Sequence, residues 1–173
     1  MKELPRRVSI CASPRAVPAT VHRARFGAID VQREITEVVY EALRARGLKG
    51  RGLEVQGAHL VGEVLGQLKS FAKGQLPEGR RGAFEPVVSQ PDLWEIRVNS
   101  RRFGAFRLYH AEPEGGDPDI VVLRFHQKEA PGIPSESMSD VQNRVMADAQ
   151  MVFESGLSQR WGHVDHCAAC LES

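Results

Sequence analysis

Apolar residues recur at two different periods along this chain, and the change of period separates helical from extended parts. From Asp30 onward, Val31, Ile35, Val38, Ala42 and Leu43 fall at helical spacing and place one apolar stripe on a helix. Asp30 is suited to cap the first turn, and Gly47 to take the left-handed conformation that ends it. Leu48 to Gly57 reads as a glycine-containing loop. Leu60, Val64, Leu65, Leu68 and Phe71 then predict a second helix from about Ala58 to Lys73, stopped by Gly74, Pro77, Gly79 and Gly82.

The middle of the chain switches to short extended segments. Leu93 to Val98, Phe103 to His110 and Ile120 to His126 are rich in β-branched and aromatic residues. Asn99 to Arg102 joins the first two as a tight hairpin, and the polar loop Ala111 to Asp119 joins the next two. Thr20 to Phe26 alternates imperfectly and predicts one earlier strand. After Pro131 and Pro134, Ser135, Ser137 and Ser139 offer N-caps for a helix carrying Val141, Val145, Ala149 and Val152, which ends near Gly156. The order is strand, two helices, three-stranded antiparallel meander, C-terminal helix. That order predicts an α+β fold with the helices packed on one sheet face. Residues 1–19 read as an irregular extension, 20–156 as the folded domain, and 157–173 as a tail.

A length of 173 residues suits one domain with a real core. No apolar run reaches the roughly 18 residues of a membrane span, and the first residues lack a secretory signal. The expectation is therefore a soluble, cytoplasmic protein without membrane association, whose three cysteines stay reduced. The near-neutral total charge hides an asymmetry. Residues 1–51 carry 11 basic and 5 acidic groups, while residues 111–173 carry 4 and 11. Arginines outnumber lysines 18 to 5, which suits an anionic partner. Codon bias, or pairing of a basic head with an acidic tail, explains the same numbers.

Three strings carry a resemblance. Leu93-Trp94-Glu95-Ile96-Arg97-Val98, Phe106-Arg107-Leu108-Tyr109 and Val122-Leu123-Arg124-Phe125-His126-Gln127-Lys128, followed by Pro134 and a helix, occur in order. Together they resemble the RelE/ParE superfamily of bacterial toxins, in its phage-derived HigB-like branch, over about residues 20–154. The resemblance implies a RelE-like fold, a cognate antitoxin, and in most members cleavage of messenger RNA on the ribosome. It would make Arg107 and Arg124 phosphate clamps, and Tyr109, His126 and Lys128 acid or base candidates. The chain departs from the branch after the last strand, where a lysine-rich stretch is replaced by Gln127-Lys128-Glu129-Ala130, with Glu136, Asp140 and Asp148 beyond.

A second motif points to a different mechanism. Gln67-Leu68-Lys69-Ser70-Phe71 is similar to the pentapeptide by which replication proteins bind the β sliding clamp. In such a motif the glutamine amide makes directional hydrogen bonds while leucine and an aromatic ring anchor in apolar pockets. Ser70 departs from the usual leucine. Joined to a RelE-like domain, the motif resembles the SocB-type toxins of that superfamily. That resemblance implies occupancy of the β sliding clamp, arrested replication, no catalytic residue and no cofactor. It also implies a SocA-like proteolytic adaptor as antitoxin, delivering the chain to the ClpXP protease. The leading expectation is this clamp-binding toxin, and the alternative a ribosome-dependent mRNA endonuclease. Leu68 and Phe71 also lie on the apolar stripe of the second helix, so a core role competes with docking; Gly66 and Gly74 weaken the helix on either side.

The tail holds a last constellation. His163, His166, Cys167 and Cys170 place four possible zinc ligands within eight residues. C-x-x-C supplies two ligands readily, but one short run wraps a metal poorly, because structural sites usually draw their pairs from separated segments. A frayed end or small buried thiols are the competing readings, and no metal is the expectation.

Overall fold

The computed structural model describes residues 7–128 and 134–171. Seven strands and three helices follow in the order β1 (Val21–Arg23), β2 (Arg25–Phe26), β3 (Ile29–Asp30), α1 (Val31–Ala45), α2 (Gly50–Ala72), β4 (Phe84–Pro86), β5 (Leu93–Ser100), β6 (Gly104–Ala111), β7 (Ile120–Gln127) and α3 (Ser135–Gly156). The fold is α+β. The predicted meander β5–β6–β7 forms the centre of a five-stranded sheet with order β1-β7-β6-β5-β4. The sheet is mixed, because β1 runs parallel to β7 while the other pairs are antiparallel. β2 and β3 make a separate small ribbon.

Local chemistry explains α1 well. The Asp30 carboxylate accepts from the Arg33 amide and satisfies one orphan donor of the first turn. Gly47 adopts φ +84° where the helix stops. Helix α2 begins earlier than expected, at Gly50. From Gly50 on, the expected loop Leu48 to Gly57 is helical, and packing against α1 supplies what propensity lacks. A Cβ on Gly57 would stand 2.4 Å from the Tyr40 ring, so this glycine marks the close approach of the two helices.

Strand alternation sends Trp94, Ile96, Phe106, Leu108 and His110 to one face of the sheet. There Phe71 of α2 packs edge-on against Phe84 and His110, and Phe106 stacks on Phe125. Glu95, Arg107 and Tyr109 point the other way, where Gln142 of α3 bonds to Glu95 and Asp148 pairs with Arg124. The helices therefore occupy both faces, not one. This corrects the expectation from element order, because order alone does not say on which side the last helix returns.

The flanks are part of the folded unit. Although residues 7–19 lack regular structure, Cys11 is fully buried, and Arg15 and Ala19 donate backbone bonds to the carbonyls of Lys73 and Ala72. After α3 a tightly wound stretch, Leu157–Gly162, buries Trp161 and leads the chain back to β1. Arg23 donates its amide to Ala169, and Leu171 donates to Val21, so residues 169–171 lie along the outer edge of β1.

Candidate active site on the sheet face

The register of the central strands assembles a polar cluster. Glu95 pairs with Tyr109, Arg97 with Arg107, Tyr109 with Arg124, and Arg107 with His126. Cross-strand partners share a face, so three strands bring these side chains together. The Arg107 guanidinium Nε lies 3.0 Å from Glu95 Oε1, and Arg97 Nε lies 3.3 Å from the same oxygen. The phenol of Tyr109 stands 3.4 Å from Glu95 Oε2 and 3.3 Å from His126 Nε2.

These distances fix the protonation pattern. With its proton on Nδ1, His126 donates to the Gln127 carbonyl at 3.1 Å, which leaves Nε2 with a lone pair toward Tyr109. The single phenol proton thus serves two acceptors, a carboxylate and an imidazole. Burial lowers the His126 pKa to about 4, assisted by the cations Arg107, Arg124 and Lys128, so the ring is neutral at physiological pH. Burial and the Glu95 charge push Tyr109 upward, and its phenol keeps its proton. Glu95, Arg107, Tyr109 and His126 are all less than a tenth exposed.

Of the five residues nominated for catalysis, Arg107, Tyr109 and His126 are brought into contact. Arg124 turns instead to Glu34 of α1, 2.8 Å from Nε, and to Asp148 of α3, 3.3 Å from Nη1. Lys128 follows β7 and donates its amide to the Ala105 carbonyl. Glu129 lies outside the described residues. Sequence reasoning missed Glu95 and Gln142, the two groups that complete the network. Alternation in β5 was the available signal for Glu95, since it sets Glu95 and Arg97 opposite Trp94 and Ile96. Helix α3 covers the cluster lightly. Among its described side chains from Ser137 to Asp148 none is fully buried, and the first that is belongs to Ala149.

A basic corner adjoins the same end of the sheet. Arg46 donates to the Arg102 carbonyl at 2.8 Å, and a Cβ on Gly104 would approach both Arg46 and the Gln127 amide. Lys49 and Arg101, close in sequence to Arg46 and Arg102, are exposed as well, and Gly104 sets this corner near Gln127, which lies between His126 and Lys128 on the chain.

The clamp pentapeptide lies elsewhere and is not displayed. Leu68 and Phe71 are fully buried within an unbroken α2, Ser70 is half-buried and Lys69 exposed. Gln67 is half-buried and donates to the Arg97 carbonyl at 3.3 Å. In this fold the apolar stripe of α2 places Leu68 and Phe71, the two expected anchors of the docking motif 67–71, in the core. Exposing them would cost about 1.5–3 kcal/mol each, against a stability of only about 5–15 kcal/mol for a typical domain.

Three of the four tail candidates are brought together, with a partner from the other end of the fold. His163, Cys167 and Cys170 converge, but the fourth member is His22 of β1, not the exposed His166. No protein-family model matches the sequence, no curated protein is significantly similar to it, and no solved structure matches its fold.

Proposed function

We propose that this chain is a RelE-like toxin that cleaves RNA, with Arg107, Tyr109 and His126 at the reacting phosphate. The observation that carries the proposal is the phenol of Tyr109 set between Glu95 and a neutral His126, with Arg107 on the same carboxylate. Such a cluster holds an acid, a base and a cation within one hydrogen-bonded network, on a face flanked by a basic corner.

The chemistry balances without a cofactor. His126 Nε2 takes the proton from a ribose 2′-hydroxyl, whose oxygen bonds to the adjacent phosphorus. The bond from phosphorus to the 5′ oxygen breaks, and Tyr109 gives that oxygen its proton. Imidazolium then returns a proton to the phenolate across the 3.3 Å separation, leaving a 2′,3′-cyclic phosphate and a 5′-hydroxyl. Arg107 stabilises the charge that develops on the phosphate. Positioned proton transfer contributes about 10²–10⁴-fold in rate. Entry of RNA requires the first turns of α3 to lift, and their shallow packing makes that a local opening. The proposal carries with it an antitoxin partner and the ribosome or its messenger, and does not call on the β clamp or a proteolytic adaptor.

The test is induction of the chain in growing bacteria, with transcript 5′ ends mapped. Wild type is expected to produce new ends. Arg107→Ala and His126→Ala abolish them, and Tyr109→Phe lowers cutting about 10²-fold or more, with melting curves confirming that each variant folds. Arrested growth beside intact transcripts overturns the reading.

A further inference from the structure

We infer that the chain holds a structural zinc ion between β1 and the C-terminal segment, coordinated by His22, His163, Cys167 and Cys170. One donor atom from each of the four residues lies within 4.8 Å of all the others. Cys167 Sγ is 3.5 Å from His22 Nδ1, Cys170 Sγ is 3.7 Å from the same nitrogen, and Cys170 Sγ is 3.3 Å from His163 Nδ1. With Zn–S near 2.3 Å and Zn–N near 2.0–2.1 Å, a tetrahedral ion separates its ligands by about 3.3–3.8 Å. Three of the six separations thus fall on the edges of that tetrahedron, and the whole set lies within 4.8 Å, so a small contraction closes it around an ion.

The surroundings match a metal site as well as the donors do. Each histidine presents Nδ1 inward and uses Nε2 for an outer bond. His22 Nε2 reaches the Trp161 carbonyl at 2.8 Å, and His163 Nε2 reaches Asp117 Oδ1 at 3.1 Å. An outer carbonyl or carboxylate of this kind fixes the tautomer and turns the lone pair toward a cation. Arg23 donates to the carbonyls of Ala169 and Cys170, holding the C-x-x-C knuckle against β1. The backbone leading into the tail ligands and between them also bends sharply, since Arg160 and Trp161 before His163, and His166 before Cys167, have positive φ. Residues without glycine's freedom hold such conformations only where their surroundings over-determine them.

The donor set selects the ion. Two thiolates and two imidazoles in tetrahedral array suit zinc, whereas magnesium and calcium take oxygen ligands. Two thiolate charges offset the dication, so the filled site is neutral and tolerates half-burial. Because its ligands come from segments about 140 residues apart in sequence, the ion acts as a clasp between the start and the end of the fold, and its binding energy adds directly to folding.

Metal content of the purified full-length chain, followed by cobalt titration of the chelator-treated protein, tests the site. About one zinc per chain is expected, and cobalt should give the visible bands of a tetrahedral thiolate complex. His22→Gln and Cys170→Ser should lose binding at least 100-fold. Asp117→Asn, at an exposed position, should weaken it about 10–100-fold without unfolding the chain. His166→Ala should leave affinity within about twofold. A folded wild type that purifies without metal and takes up no cobalt, or a Cys167–Cys170 disulfide in reducing buffer, overturns the site. Loss of binding in the His166 variant overturns the ligand assignment.

Discussion

Phe71 and His110 meet edge to face with ring centroids 4.7 Å apart, which anchors the last turn of α2 to the centre of the sheet. Phe84 packs against the same ring at 4.9 Å. Phe71→Ala is therefore expected to destabilise the chain by about 3–5 kcal/mol, read from urea unfolding. Gln67→Ala removes one bond to a carbonyl and should cost about 1 kcal/mol. Purified wild type should pass over immobilised β clamp unretained. Retention of a native, Gln67-dependent complex would show that α2 opens and would restore the docking role of residues 67–71.

The two glycines that bracket this turn behave oppositely. Gly66 faces open space inside the helix, so Gly66→Ala should raise stability by about 0.5–1 kcal/mol. Gly74 has φ +68°, and a Cβ there would fall 1.8 Å from the Ser13 carbonyl oxygen. Gly74→Ala combines left-handed strain of about 1–2 kcal/mol with displacement of the N-terminal segment. Melting midpoints that move in the same direction for both variants would contradict this packing.

Stability should fall on mild acidification. The folded pKa of His126, about 4, lies below its ordinary 6.5, so between these values the unfolded chain binds the extra proton. The contribution is intact above pH 6.5 and lost as pH drops toward 4, up to about 3 kcal/mol. Buried His110, also lowered, adds in the same direction. Urea midpoints measured from pH 7 to pH 4.5 should decline, and His126→Gln should flatten part of the slope. An unchanged slope in that variant would place the effect elsewhere.

Binding of single-stranded RNA should weaken with salt through the basic corner at Arg46 and Arg102. Each lost phosphate contact reduces the log–log salt slope by about 0.7. Arg46→Glu and Arg102→Glu together should lower affinity and flatten that slope, with the melting temperature preserved. Equal slopes for wild type and variant would move the RNA path off this corner.

The local parts of this fold were legible because short-range rules decide them. Asp30 as cap, Gly47 as stop and the three long strands follow from spacing and side-chain type. The beginning of α2 was not legible: Gly50, Gly52 and Gly57 argue for a loop unless Tyr40 is known to pack over Gly57. Long-range pairings were equally hidden. Nothing in the order of segments says that β1 lies parallel to β7, that α3 returns to the opposite face, or that His22 replaces His166 beside the thiols. The sheet-face cluster was half legible. Arg107, Tyr109 and His126 were nominated only through the resemblance of their strands, whereas Glu95 needed register and Gln142 needed the position of α3. The pentapeptide shows the reverse hazard, since a helix stripe and a linear docking motif draw on the same residues.

Residues 169–171 run beside the first strand of the sheet, and that adjacency sets a timetable for biosynthesis. While the ribosome is still making the last helix, the strand at Val21–Arg23 has an open outer edge and His22 has no thiols to face. The outer edge of β1 is covered only once residues 169–171 emerge, so a chain interrupted before them leaves that strand edge unguarded.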